Sequence, residues 1–281
     1  MTVLVTSLEE STGKTAVALA LAVAARDRGE QIGYMKPKGT RLQSAVGKTV
    51  DEDPQLAREL LDLDAEMHEM EPIVYSPTFI HEAIRGREEP DALREGVSTQ
   101  FDSLSRDVDR MILEGGGSIT TGGIVDLTDG DIAELLNATV ILVASFFEPG
   151  DVDEILAAAE LLGERLGGVL FNGVSDAAFD TLASDIVPFL EGRGIRVYGT
   201  IPHDDDLAGV TIEELANELG ADVLTAEAPT DGRVHRFVVG SMSASEAHRR
   251  LRQVRDAVLV TGGDRPDMQA MALEAGGVEC L

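Results

Sequence analysis

The stretch Ser7-Leu8-Glu9-Glu10-Ser11-Thr12-Gly13-Lys14-Thr15 constrains this chain more than any other. An apolar run, Val3-Leu4-Val5, precedes it, and an alanine-, leucine- and valine-rich helical pattern from Ala16 to Ala25 follows. A strand that turns through Gly-Lys-Thr into a helix gathers backbone N–H groups around a phosphate chain. Lys14 then reaches the outer phosphates and the Thr15 hydroxyl holds Mg²⁺. The usual phosphate-loop spacing would put its first glycine at Leu8. A loop one residue longer fits, with Ser7 standing where glycine is common. The alternative is an ordinary strand–turn–helix corner; the flanking strand and helix favour nucleotide binding.

Beyond the loop, strand and helix patterns alternate, which predicts an α/β fold: a parallel sheet of P-loop NTPase type with helices on both faces. Expected strands are 2–6, 31–35, 110–113, 139–144, 168–171 and 196–200, with the clearest helices at 14–28, 54–63, 152–166 and 177–193. Such crossovers put the C-terminal strand ends on one edge, where ligands bind. A linker is expected around Glu227–Arg233, dividing a nucleotide-binding domain (1–226) from a small C-terminal α/β unit (233–281). That unit reads as strands at 234–240 and 257–261, helices near 244–254 and 266–275, and a further strand starting at 279–281. About fifty residues are too few to cover both faces of even a small parallel sheet. The unit therefore leans on the large domain or a second subunit, or is shortened.

Charge narrows the partners. Fifty-one acidic residues face 23 basic ones, for a formal net charge of −28, and only Lys14, Lys36, Lys38 and Lys48 are lysines. Dispersed carboxylates with little lysine suit a protein hydrated in concentrated salt, so a halophilic cytoplasm is expected. Nucleic-acid binding is disfavoured, because no basic stripe exists to neutralise phosphates. The first twenty residues are taken up by the loop and its helix, leaving no signal peptide or membrane span there, and a cytoplasmic location is expected. The single cysteine, Cys280, allows neither an internal disulfide nor a cysteine zinc site.

Three further segments fall on the ligand edge. Lys36-Pro37-Lys38-Gly39-Thr40 follows the second strand, placing a lysine in the crevice of Lys14 to pair with an anionic substrate group or a γ-phosphate. The bland alternative is a Pro/Gly turn with solvated lysines. Glu114-Gly115-Gly116-Gly117 follows another apolar strand, with Glu114 placed to hold Mg²⁺ directly or through water. Asp51-Glu52-Asp53-Pro54 precedes a helix that Asp53 can cap while supplying a third metal oxygen; Asp51 is the second choice, and a solvated acidic cluster the alternative. Asn172 either reads a base through its amide or closes a turn with Gly173.

These residues carry a resemblance. The chain resembles the dethiobiotin-synthetase-like branch of P-loop proteins, joined to a DRTGG domain as in the N-terminal part of long phosphate acetyltransferases. The carriers are Thr6-Ser7 through Thr15, Lys36-Pro37, Asp53, Glu114 to Gly117, Asn172-Gly173-Val174, Ile201-Pro202, Val210 to Ala216, Val238 to Ser243 and Thr261 to Arg265. The resemblance implies ATP and Mg²⁺ as cofactors. It places the nucleotide on Ser7, Ser11, Thr12, Gly13, Lys14, Thr15, Ala16, Asn172 and Pro202, the metal on Thr15, Asp53 and Glu114, and catalysis on Lys14 and Lys36. In dethiobiotin synthetase the second lysine handles a carbamate activated by phosphoryl transfer, and Lys36 occupies that position. It further implies a homo-oligomer, a dimer, with a protein partner reached through a C-terminal unit shortened at Leu281. Leu8-Glu9-Glu10 departs from the more typical Thr-Asp-Thr, and two carboxylates beside a triphosphate cost affinity unless they point away or help bind the metal. Partition and septum-site ATPases carry an extra lysine early in the loop, and residues 7 to 12 contain none. The two functions in view are a regulatory ATP-binding protein tied to acetyl-phosphate or acetyl-CoA metabolism and an ATP-dependent ligase acting through a carbamate or acyl phosphate.

Overall fold

The computed structural model describes residues 1–40, 42–45, 48–204, 209–225 and 228–281. Two compact units emerge, Met1–Pro202 and His203–Leu281.

In the first unit the elements run β1 (Thr2–Ser7), α1 (Lys14–Arg26), β2 (Ile32–Met35), β3 (Lys38–Gly39), β4 (Leu42–Ala45), β5 (Lys48–Asp51), α2 (Glu52–Leu61), α3 (Met67–Met70) and β6 (Ile73–Val74). They continue as α4 (Pro77–Ile84), α5 (Pro90–Leu104), β7 (Arg110–Glu114), α6 (Asp129–Leu135), β8 (Thr139–Ala144), α7 (Val152–Leu162), β9 (Leu166–Val174), α8 (Asp176–Thr181), α9 (Val187–Gly192) and β10 (Val197–Pro202). Six strands form one sheet in the order β10-β9-β8-β1-β7-β2. Every pairing in it is parallel.

Central strands that are buried on both faces read as apolar runs, and β1 carries one in Val3, Leu4 and Val5, all inside. Alternate residues feed opposite cores. Leu4, Leu113, Val140 and Leu142 pack with Val97 of α5, Ile132 of α6, Ile155 of α7 and Leu190 of α9. Val3, Val5, Ile112 and Val143 pack with Val17, Ala18 and Ala22 of α1, Ala57 of α2 and Met70 of α3. Helices therefore cover both faces, as the alternation predicts. The expected helix 177–193 is interrupted by a π-helical turn, Leu182–Ile186. Pro188 lies just beyond and has no N–H to donate back to Ser184.

In the second unit β11 (Val210–Thr211) pairs antiparallel with β12 (Arg233–Val234), flanking helix α10 (Ile212–Leu219). Next come β13 (Arg236–Val239), α11 (Ala244–Leu251), β14 (Ala257–Val260), α12 (Pro266–Glu274) and β15 (Val278–Cys280). The last three strands make a parallel sheet in chain order. Val238, Ala257 and Leu259 meet Ala247, Leu251, Met268 and Ala272 on its covered face. Phe237, Val239 and Val260 on the other face are exposed. The boundary between units falls at 202/203, ahead of the expected linker. The β11–β12 pairing ties residues 210–219 to the C-terminal part of the chain, and residues 226 and 227, where the linker was expected to begin, lie outside the described residues.

Candidate nucleotide site

Strand β1 delivers the chain to the sheet's ligand edge, and Gly13 turns it into α1. Gly13 sits at φ +88, a left-handed conformation that side chains resist. A Cβ there would also lie 2.4 Å from Asn172 Nδ2. Helix α1 begins without a side-chain cap and without an acid in its first turn. No side chain caps its first N–H groups, which leaves the start of the helix suited to an anion.

Lys14 is buried beside them. Its ammonium donates to Ser7 Oγ at 2.8 Å, to the Gly117 carbonyl at 2.5 Å and more distantly to the Glu9 carbonyl at 3.4 Å. All three partners are neutral oxygens, and burial holds its pKa below the ordinary lysine range against the pull of Asp129, Glu114 and Glu10. Ser7 thus does more than stand in for glycine: it accepts from Lys14 and donates to the Glu9 carbonyl at 2.5 Å. The Glu9 and Glu10 side chains are exposed. Thr12 is buried, whereas Ser11 (φ 58) and Ala16 face solvent.

Behind the loop lies a buried charged cluster. Thr15 Oγ1 donates to Glu114 Oε1 at 2.8 Å and Tyr34 OH to Glu114 Oε2 at 2.7 Å. Lys36 Nζ pairs with Asp53 Oδ2, with Asp51 Oδ2 at 2.8 Å and with Glu114 Oε1 at 3.7 Å. Burial raises the Glu114 pKa to about 7, the Asp53 charge adds to this, and Lys36, Tyr34 and Thr15 oppose it. Burial works against the Lys36 ammonium, yet Glu114, Asp51 and Asp53 outweigh it and hold the pKa above the ordinary range.

The structure redistributes two expected roles. Asp51, not Asp53, caps α2, accepting from the Asp53 N–H at 2.9 Å, because the helix begins at Glu52 and puts Asp53 inside its first turn. Both aspartates are buried, so neither belongs to a solvated cluster. Lys38 is also buried, bonded to Thr121 O at 2.7 Å, Leu127 O at 2.5 Å and Asp129 Oδ1 at 2.9 Å, which leaves it no part in a ligand crevice. Asn172 donates from Nδ2 to the Thr12 carbonyl at 2.8 Å, fixing the phosphate loop from strand β9. Pro202 ends the edge strand, with β9 and β8 between it and β1.

Tyr34, Glu71 and Asp129 were not anticipated. Tyr34 lies two residues before Lys36, on the same side of the strand, and that period was the available signal. Glu71 accepts the Asp51 N–H at 3.0 Å through Oε2, while its buried Oε1 has no hydrogen-bond partner. A Cβ at Gly39 would lie 1.8 Å from that Oε1, so a side chain there would displace the Glu71 carboxyl. Among the described residues no three His, Cys, Asp or Glu side chains are grouped to hold a metal ion by themselves. A Mg²⁺ ion at Thr15, Asp53 and Glu114 would complete its shell with phosphate oxygens and water, its usual habit.

Residues 1–211 match the family model AAA_26, described as an AAA domain. The chain belongs to that family. Residues 214–281 match the DRTGG domain, so this AAA_26 chain has the two-part organisation that its motifs predict. It is similar to phosphate acetyltransferase of Haemophilus influenzae, 23% identical over 313 residues, covering 99% of this chain and 42% of the relative. With phosphate acetyltransferase of Pseudomonas putida it is 25% identical over 91% of this chain and 37% of the relative. A probable cobyric acid synthase of Methanocaldococcus jannaschii is 25% identical over 73% and 46%. The AAA_26 chain thus spans less than half the length of these relatives. Among solved structures, the MinD cell division protein of Aquifex aeolicus aligns with TM-score 0.45 and 13% identity over 73% of this chain and 84% of that one. No helix among the described residues is long and apolar enough to cross a membrane.

Proposed function

We propose that this protein is a Mg²⁺-dependent ATP-binding P-loop protein with a regulatory role linked to acetyl-phosphate or acetyl-CoA metabolism. The observation that carries the nucleotide reading is Lys14, a buried ammonium with neutral oxygen partners, set beside the uncapped start of α1. A buried cation without a paired carboxylate favours an anionic ligand that exchanges for those oxygens. Lys14 and the first N–H groups of α1 hold the phosphates, with Ser7, Ser11, Thr12, Gly13, Thr15 and Ala16 forming the cradle. Asn172 keeps the loop in shape, and Pro202 stands on the same strand edge towards the base. Thr15, Asp53 and Glu114 fit a hard cation, being an oxygen-only set of one hydroxyl and two carboxylates. When bound, Mg²⁺ supplies neutralisation of charge on the terminal phosphates. The metabolic link rests on the phosphate acetyltransferase relatives, and signalling through the DRTGG domain is the role assigned to the second unit, with a dimer as the working assembly.

A second reading, an ATP-dependent ligase of the dethiobiotin-synthetase type, is favoured by Lys36 sharing the Thr15–Glu114 cluster. Titration calorimetry with Mg-ATP in concentrated salt tests the site: the parent binds and Lys14→Ala does not. A variant that binds as well as the parent overturns the assignment. ADP release that depends on bicarbonate plus a diamine would select the ligase.

A further inference from the structure

Building on that nucleotide reading, we infer that the bond from Lys14 to the Gly117 carbonyl is a latch that bound phosphate opens. An ammonium has three donors, and all three are taken, by Ser7 Oγ, the Gly117 carbonyl and the Glu9 carbonyl. A phosphate-loop lysine that reaches two phosphates must give up two of these partners. The Glu9 carbonyl lies in the phosphate loop and also accepts from Ser7 Oγ and Thr12 Oγ1, so it stays satisfied without the lysine. Gly117 lies on another segment and is buried, and among the described residues its carbonyl has no second donor. Release of Gly117 is therefore the exchange that the protein must answer.

The surrounding bonds confine that answer to one peptide. Gly115 N–H donates to the Val5 carbonyl at 2.9 Å and Ile119 N–H to the Ser7 carbonyl at 2.8 Å, which anchors the segment to β1 at both ends. Gly116 is pressed against Lys38, where a Cβ would lie 2.5 Å from the backbone oxygen. Gly117 is the pivot, at φ +67, where a residue without a side chain turns most freely. The peptide it shares with Ser118 points its carbonyl at Lys14 and its N–H at Thr121 Oγ1, 2.9 Å away. Thr121 is itself held, its carbonyl accepting from Lys38 at 2.7 Å. A hydroxyl both accepts and donates. When Lys14 leaves, the Gly117–Ser118 peptide turns over and trades its N–H bond to Thr121 for a carbonyl bond from the same hydroxyl. No buried carbonyl is then left without a donor. Phosphate binding thus reshapes the turn 117–121 while the anchors at Gly115 and Ile119 stay in place.

The test uses the full chain with inorganic tripolyphosphate and Mg²⁺ as probe, in molar KCl to screen the surface carboxylates. Glycine labelled with ¹³C at the carbonyl and serine with ¹⁵N give two linked nuclear magnetic resonance signals, because Gly-Ser occurs only at 117–118 and 240–241. The Gly117 carbonyl signal is expected to move upfield on saturation with tripolyphosphate and in Lys14→Met without it, as a carbonyl does on losing a cationic donor, while the Gly240 signal stays. A Gly117 signal that keeps its place in either sample overturns the proposal. Amide exchange at Ser118 gives a second measurement that does not need the Lys14 variant to fold. Thr121→Val is expected to speed that exchange about tenfold without tripolyphosphate and to leave it unchanged with tripolyphosphate bound; equal acceleration in both overturns the proposal. Parent protein that binds no tripolyphosphate by calorimetry overturns the nucleotide reading instead, an outcome separate from the resonance comparison.

Discussion

Lys38 offers the sharpest check on which lysines serve structure and which serve a ligand. Its ammonium makes three bonds in the interior, to the Thr121 and Leu127 carbonyls and to Asp129, whose other oxygen accepts from Thr6 Oγ1 at 2.5 Å. Lys38→Met keeps the stem and removes the charge, leaving a buried carboxylate and two carbonyls without their donor. Breaking one side of a buried pair costs roughly 3–5 kcal/mol. Asp129→Asn, added to Lys38→Met, removes the stranded charge, so the double variant should be more stable than the sum of the singles by about 1–3 kcal/mol. All three tyrosines, Tyr34, Tyr75 and Tyr198, lie in the unit Met1–Pro202, and tryptophan is absent. Tyrosine fluorescence during denaturant unfolding therefore reports this unit alone. A single-variant loss below about 1 kcal/mol, or strictly additive losses, would refute the buried-pair reasoning.

Two further outcomes are expected of the site. Asn172→Ala should weaken ATP and inorganic tripolyphosphate by a similar factor, about tenfold, since the bond lost is to the loop carbonyl of Thr12; titration calorimetry showing a loss confined to ATP would make Asn172 a base reader. Glu71 should make the protein less stable as pH rises. Burial and the charge of Asp51 lift its pKa from 4.5 to about 7, so the folded state binds this proton more tightly than the unfolded chain. Stability is therefore lost between those two pH values, by at most about 3 kcal/mol for this group. Glu71→Gln should flatten the slope of denaturation midpoint against pH in that window only in part, because Glu114 titrates in the same range; an unchanged slope would remove Glu71 from the account.

Strong periodicity made the large elements legible. The strand Thr139–Ala144 was readable to the residue, since six apolar-rich positions bounded by Asn137 and Ser145 leave little choice. Lys14 and Thr15 could be read because they open the helix that follows the buried strand β1, and Glu114 because it ends the buried strand β7. What escaped was set by tertiary contact. Nothing local marks Glu71 as the acceptor for Asp51, twenty residues away, or Asp129 as the partner of both Thr6 and Lys38. Helices α4 and α5 carry few buried residues, Val97 alone in the two, so their apolar pattern is faint. Solvated and buried carboxylates look alike in so acidic a sequence, which is why Asp51 and Asp53 could not be assigned to the interior beforehand.

The strand order has a consequence for how the molecule assembles. Strand β1 lies between β7 and β8, pairing Thr2 with Met111 and Val3 with Thr139. A nascent chain that has released β1 and α1 therefore holds that strand without its sheet neighbours until about 90 further residues have been synthesised, from Arg26 to Glu114. Closing loops of that size is slow, and the waiting strand is exposed to aggregation meanwhile. Strands β7 and β8 meet only through β1, so the two halves of the sheet join when that strand takes its place between them.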